Sequence, residues 1–204
     1  PLLAHCSEEI YLPILKKHLS RSRVKHSVGV AQLSLHFAQK LQCPTPEHAF
    51  IAGIYHDIAK EKSTQDLQTI AQQYGLLLGD EERNSPTTLH APIGMLMVRH
   101  ELGISHSRIL KAIRWHTTGR ARMSLLEKIV YVADIVDSGK KVEHALLIEK
   151  LATTDIDRAV WITARETLKH LLNKDRKICK QGLSCYNYYA IPDSISAQKF
   201  SSRP

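Results

Sequence analysis

Cysteine is scarce, and its four copies are scattered at Cys6, Cys43, Cys179 and Cys185. None forms a CxxC pair, which argues against a thiolate zinc site and against a small disulfide-stapled fold, and fits a reducing cytoplasm. No run approaches the roughly 18 consecutive apolar residues of a membrane span, and the first residues lack a basic-then-apolar secretory pattern. Glycine and proline are also few, 9 and 8 in 204 residues, and fall mostly between periodic segments, so little interrupts helices. Strand-length runs of alternating β-branched residues are missing, as is any internal repeat. What the absences leave is an all-α chain, and at 43% hydrophobic residues it is globular rather than disordered.

What is present in excess is positive charge and histidine. A net charge of +8 points either to an anionic partner such as a nucleotide or to a solvated basic surface. The spacing predicts helices over 7–20, 23–42, 46–60, 63–74, 88–101, 106–115, 124–138, 143–151 and 155–173. Thr45–Pro46 supplies a cap with proline in the first turn, Ser124 with Glu127 makes a capping box, and Ser63 with Asp66 is a weaker version of it. These group into an N-terminal helix over 1–22, a core over 23–174 and a C-terminal extension over 175–204. In that extension Tyr186, Tyr188 and Tyr189 cluster too tightly for spaced base-stacking platforms, so packing is expected rather than a nucleic-acid arm.

Of the 12 histidines, four share a pattern with two aspartates. His26 lies on the stripe Val30, Leu33, Phe37, Leu41 and so faces inward. In AGIYHDIAK, His56 and Asp57 close an apolar helix beside Ala49, Ala52 and Gly53, whose small side chains let another helix approach. His90 opens a helix in TTLHAPIG, and His116 ends the run ILKAIRWH before TTGR. Asp134 shares an apolar face with Leu126, Ile129, Val130 and Ala133, where a lone acid needs a cationic partner. A single inward histidine is ordinarily a core residue bonded to one carbonyl. Four imidazoles and two carboxylates without a thiolate instead suit iron, manganese, zinc or a similar ion. Asp57 is the candidate for a carboxylate that bridges two ions.

The series H…HD…H…H…D resembles that of HD-domain metal-dependent phosphohydrolases. More narrowly, VKHSVGVAQLSLHFAQKL, AGIYHDIAK, LHAPIGMLMVRHELGI and AIRWHTTGRARMSLLEKIVYVAD are similar to the YqeK-type symmetrical diadenosine tetraphosphate hydrolases of bacteria. The likeness covers about residues 20–138 and runs on more loosely to about 172. It implies an all-α HD fold, a centre of two divalent or trivalent ions, commonly iron, and cleavage of diadenosine tetraphosphate to two ADP. One departure stands out. Where the family continues with an acid, proline and arginine, this chain reads ADIVDSGKK, with Asp137, Ser138 and Lys140 or Lys141, and lysine lacks the planar fork of arginine.

On that likeness, one ion would be held by His26, His56, Asp57 and Asp134, and the second by Asp57, His90 and His116. Such a pair activates water for attack on phosphorus. Lys60, four residues after His56, either offsets phosphate charge from the same helix face or snorkels as a surface lysine. Thr117, Thr118, Gly119 and Arg120 either contact phosphate or merely end a helix. The expected partner is a nucleotide, with no membrane and no nucleic acid, and a homodimer is left open. Two rival readings are an HD phosphohydrolase acting on (p)ppGpp, a deoxynucleotide or a cyclic nucleotide, and a non-catalytic nucleotide- or RNA-binding module.

Overall fold

The computed structural model describes residues 2–79, 86–138 and 144–190. Among these there is no strand. After a short 3-10 turn at Leu2–Cys6, ten helices follow: α1 (Glu8–His18), α2 (Arg21–Lys40), α3 (Pro46–Tyr55), α4 (Thr64–Gln73), α5 (Pro86–His100), α6 (Ser107–Trp115), α7 (Leu125–Asp137), α8 (Ala145–Ala152), α9 (Ile156–Leu172) and α10 (Lys180–Tyr189).

The stripe read on α2 is real: Val30 and Phe37 are fully buried, and Leu33 packs at the core's edge. Helix α2 lies against α3 at unusually close range because of Gly53. A Cβ there would stand 2.8 Å from Ala31 Cα and 3.0 Å from Ser34 Oγ. In α7 Leu126, Ile129, Val130 and Ala133 are buried as the spacing predicts, and Glu127, Tyr131 and Val132 are buried as well. Its start is fixed by the capping box, with Glu127 N donating to Ser124 Oγ at 3.4 Å and Ser124 N donating to Glu127 Oε2 at 2.8 Å. Ser63 likewise caps α4, accepting from Asp66 N at 3.1 Å.

Two elements differ from the sequence expectation. The helix anticipated over 46–60 ends at Tyr55, and residues 56–61 continue as tight turns, with Lys60 N donating to Asp57 O at 2.8 Å. His56 sits at this break as the C-cap of α3. Its Nδ1 donates to Gly53 O at 2.7 Å, supplying a partner to one of the carbonyls at the helix end. The other difference is α10, a ten-residue helix in a stretch without helical periodicity. It is held by tertiary contact: Cys185 is buried, and Tyr189 Oη accepts from Met123 N at 2.9 Å while Tyr188 stays exposed. Lys140 and Lys141, the family's arginine position, lie outside the described residues, as does the end of the C-terminal extension.

A clasp joins the turn region to α2. Ser20, the N-cap of α2, donates to Glu61 from both its backbone N and its Oγ, the latter at 2.6 Å. This brings the first turn of α2 over Asp57.

Candidate metal centre

Five segments deliver the six predicted ligands to one place: α2, the turn after α3, α5, the end of α6, and α7. The ligand atoms of His26, His56 and Asp134 lie within 4.8 Å of one another, and so do those of His56, Asp57 and His116. Asp57, 1% exposed, stands between two groups. Its Oδ2 lies 3.5 Å from His56 Nε2 and 3.9 Å from His26 Nε2. Its Oδ1 lies 3.1 Å from His90 Nε2 and 3.3 Å from His116 Nε2. Asp134 Oδ1 completes the first group at 3.1 Å from His26 Nε2 and 3.6 Å from His56 Nε2.

The orientation of the rings is set locally. Both His56 and His116 cap the helix they end, and each donates Nδ1–H to the carbonyl three residues back, Gly53 O at 2.7 Å and Ile113 O at 2.8 Å. A carbonyl only accepts, so Nδ1 of each ring carries a proton, and in the neutral form it is the Nε2 lone pair that faces the centre. His90 and His116 then bring their Nε2 atoms within 3.1 Å of each other. His56 Nε2 and Asp57 Oδ1 are buried without a well-formed hydrogen bond. Ligand-type atoms converging from five segments, with buried polar atoms that lack a partner, fit a metal ion.

The charge balance points the same way. Burial favours the neutral acid in Asp57 and Asp134, yet the surrounding imidazoles outweigh it and hold both well below the usual carboxylate range. Burial also opposes charging of His56, but Asp57 and Asp134 override it and raise this imidazole to about 10. Burial drives His90 down to about 4, with Lys60 and His116 adding to the effect against the Asp57 hydrogen bond. The centre as a whole draws a cation, and His90 is the neutral imidazole that ligation requires.

The remaining predicted residues separate. Lys60 Nζ lies 3.1 Å from His90 Nε2 and 3.6 Å from Asp57 Oδ1, reached from the tight turn rather than from a helix face. Thr117 Oγ1 sits 3.0 Å from His116 Nε2 and 3.2 Å from His90 Nε2. Thr118 turns its hydroxyl to Gly119 O at 2.9 Å. Gly119 adopts φ +61° and packs so closely that a Cβ would come 2.6 Å from Cys185 Sγ. Arg120 gives Nε and Nη2 to the carboxylate of buried Glu127 at 2.7 and 2.9 Å, and Nη1 to Ala121 O at 3.0 Å. The geometry thus brings Lys60 and Thr117 to the centre and commits Gly119 and Arg120 to packing.

Arg23 went unnoticed in the sequence, although it precedes His26 by three residues and so shares its helix face. Its Nη1 lies 3.0 Å from Asp57 Oδ2.

Helices alone, with a histidine–aspartate pair at the junction of α3 and its turn and further ligands from α2, α5, α6 and α7, define the HD-domain class. The family model of the HD domain matches residues 23–139, and this chain belongs to the HD-domain family. Within it, the chain is 36% identical over 181 residues to the symmetrical bis(5'-nucleosyl)-tetraphosphatase of Halalkalibacterium halodurans, covering 86% of this chain and 93% of that one. It is 31% identical over 182 residues to the protein of the same name from Bacillus subtilis, covering 89% and 97%. Among solved structures it is similar to a protein described as a predicted HD superfamily hydrolase involved in NAD metabolism from Clostridium acetobutylicum. That likeness has a TM-score of 0.84 and 32% identity, and covers 90% of this chain and 96% of that one.

Proposed function

We propose that this chain is a bacterial, cytoplasmic hydrolase that cleaves diadenosine tetraphosphate symmetrically into two ADP, using two metal ions. The observation that carries the two-ion reading is Asp57, whose two oxygens face different histidine groups, Oδ2 toward His26 and His56 and Oδ1 toward His90 and His116. On this reading His26, His56, Asp57 and Asp134 hold one ion, and Asp57, His90 and His116 the other. Iron is the metal expected from the family likeness, and the nitrogen-and-oxygen donor set suits it and manganese alike. Bound there, the ions would polarise phosphoryl oxygens and activate water for attack.

The chain's own cations and hydroxyl do the rest. Arg23 and Lys60 flank Asp57 on opposite oxygens, at 3.0 and 3.6 Å. Once Asp57 is engaged by metal, both are free to pair with phosphate oxygens, Arg23 by its fork and Lys60 as a point charge. Thr117 Oγ1, beside two imidazoles, can donate to an oxygen of the attacked phosphoryl group. Asp57 and Lys60 are therefore the catalytic pair of this proposal, with Arg23 and Thr117 as substrate contacts. The symmetrical cut on a dinucleoside tetraphosphate rests on the names of the relatives, and the nucleotide is the only partner required.

Anaerobic purification with metal analysis, followed by chromatography of products, tests the proposal. Two ADP and no ATP plus AMP are expected, with Asp57→Ala losing both ions and the activity. An Asp57→Ala protein with full metal and full turnover would overturn the bridge. Preference for (p)ppGpp, a deoxynucleotide or a cyclic nucleotide in the same panel would move the substrate while leaving the centre intact.

A further inference from the structure

We infer that Asp137 is the positioning residue for His26, and that position 29 is glycine in order to admit it. The inference rests on the two-ion reading above for its consequence, and on this chain's own geometry for its substance. His26 Nδ1 lies 2.7 Å from Asp137 Oδ2, while His26 Nε2 faces Asp134 Oδ1 at 3.1 Å. Two carboxylates one turn apart on α7 thus flank both nitrogens of one imidazole. A neutral ring has a single proton and a carboxylate only accepts, so the shorter contact fixes that proton on Nδ1. Nε2 is left with its lone pair toward Asp134 and Asp57, the tautomer a metal ligand needs.

Two local oddities have this contact as their common cause. Asp137 is the last residue of α7, where the negative end of the helix dipole disfavours an acid. Gly29 stands in the middle of α2, where glycine is unfavourable relative to alanine. A Cβ at position 29 would land on the Asp137 carboxylate, 2.7 Å from its Cγ and 3.1 Å from Oδ2. Each residue is unfavourable for its own helix, and the aspartate requires the glycine. His56 and His116 obtain the same Nδ1–H tautomer from a backbone carbonyl at their own helix end. His26, in the second turn of α2, has no open carbonyl and takes a carboxylate from α7 instead.

The test uses the full chain stripped of metal. Nitrogen NMR of the His26 ring at alkaline pH should report the Nδ1–H tautomer in the wild type and Nε2–H in Asp137→Ala. Calorimetric titration with Mn2+ should then show one of two sites weakened on the order of 10- to 100-fold in Asp137→Ala. The site affected should be the one that His26→Ala abolishes, with the other unchanged. Asp137→Asn, nearly the same shape with an acceptor but no charge, should fall between, and it serves alone if the alanine variant does not fold. Gly29→Ala should reproduce Asp137→Ala, and the double variant should be no weaker than Asp137→Ala, since the glycine acts only through the aspartate. An unchanged tautomer, wild-type affinity at both sites in Asp137→Ala, or additive losses in the double variant would overturn the inference. A wild-type chain that binds no ion sinks the functional proposal, whereas the tautomer still decides the role of Asp137.

Discussion

At the scale of single residues, the centre is a problem of proton placement solved three times. His56, His116 and His26 each turn Nε2 inward because something accepts from Nδ1: a carbonyl for the first two, Asp137 for the third. The inward faces of these histidines were legible in sequence, since apolar neighbours at helical spacing face a core. Their hydrogen-bond acceptors were not, because helical spacing does not say which carbonyl or carboxylate lies within reach of each ring. Arg23 was illegible for another reason: an arginine near the start of a basic helix looks like any solvated cation until Asp57 is placed beside it. Arg23→Ala and Lys60→Ala should leave the metal count unchanged and lower kcat/KM. Each removes a charge-assisted contact of about 1.5–3 kcal/mol, or about 10- to 150-fold. Metal analysis beside steady-state kinetics checks this, and loss of an ion in either variant would make that residue part of the metal site's support.

At the scale of elements, the stretch after His116 shows how one motif divides its labour. Thr117 reaches the two imidazoles, while two residues on, Gly119 bends under Cys185 and Arg120 clamps the buried Glu127 that caps α7. The α7 that carries Asp134 and Asp137 is therefore anchored at its start by a residue whose sequence position suggests phosphate binding. Arg120→Ala should cost about 1–3 kcal/mol by stranding Glu127. At about 2–4 °C per kcal/mol for a chain of this size, that is a measurable drop in Tm. Turnover of the folded protein at low temperature should stay near the wild type, and a large rise in KM without loss of stability would return Arg120 to the substrate. Helix α10 escaped prediction because its stability comes from partners, Tyr189 against Met123 N and Cys185 beneath Gly119, rather than from its own periodicity.

The junction of α3 with the start of α6 adds a pH dependence outside the centre. His48 is buried with its ring 4.2 Å from that of His106. Burial lowers its pKa first, the charges of His106 and Arg108 lower it further, and Glu47 opposes them. A depressed imidazole leaves the folded state with fewer bound protons than the unfolded chain, whose value is near 6.5. The stability it contributes is thus fully present above about pH 6.5 and is lost as the pH falls below that. His48→Gln should flatten the fall in Tm between pH 7 and 5 relative to wild type, both measured with metal bound. Parallel melting curves would show that this junction does not sense the proton.

At the scale of the whole molecule, the proposed ligands come from positions 26 to 134, so on the two-ion reading the centre is a staple across the fold as well as a reaction site. Without a cation it joins two carboxylates to imidazoles and leaves His56 Nε2 and Asp57 Oδ1 buried without a well-formed hydrogen bond. With ions, α2, the α3 turn, α5, α6 and α7 are tied at one point, and the unfolded chain offers no such preformed site. Binding to the folded state alone stabilises by about 2.7 kcal/mol per site at a hundredfold excess of ion over Kd. For this chain length that corresponds to about 5–11 °C in Tm per occupied site. Chelation should therefore lower Tm, and readdition of iron or manganese should restore it in a concentration-dependent way. Asp57→Ala separates the staple from nonspecific ion effects, because removing the shared carboxylate leaves neither group complete. Its Tm should be nearly indifferent to chelator and to added ion. A variant melting curve that still climbs with metal as the wild type does would place the staple elsewhere in the molecule, and the two-ion centre with it.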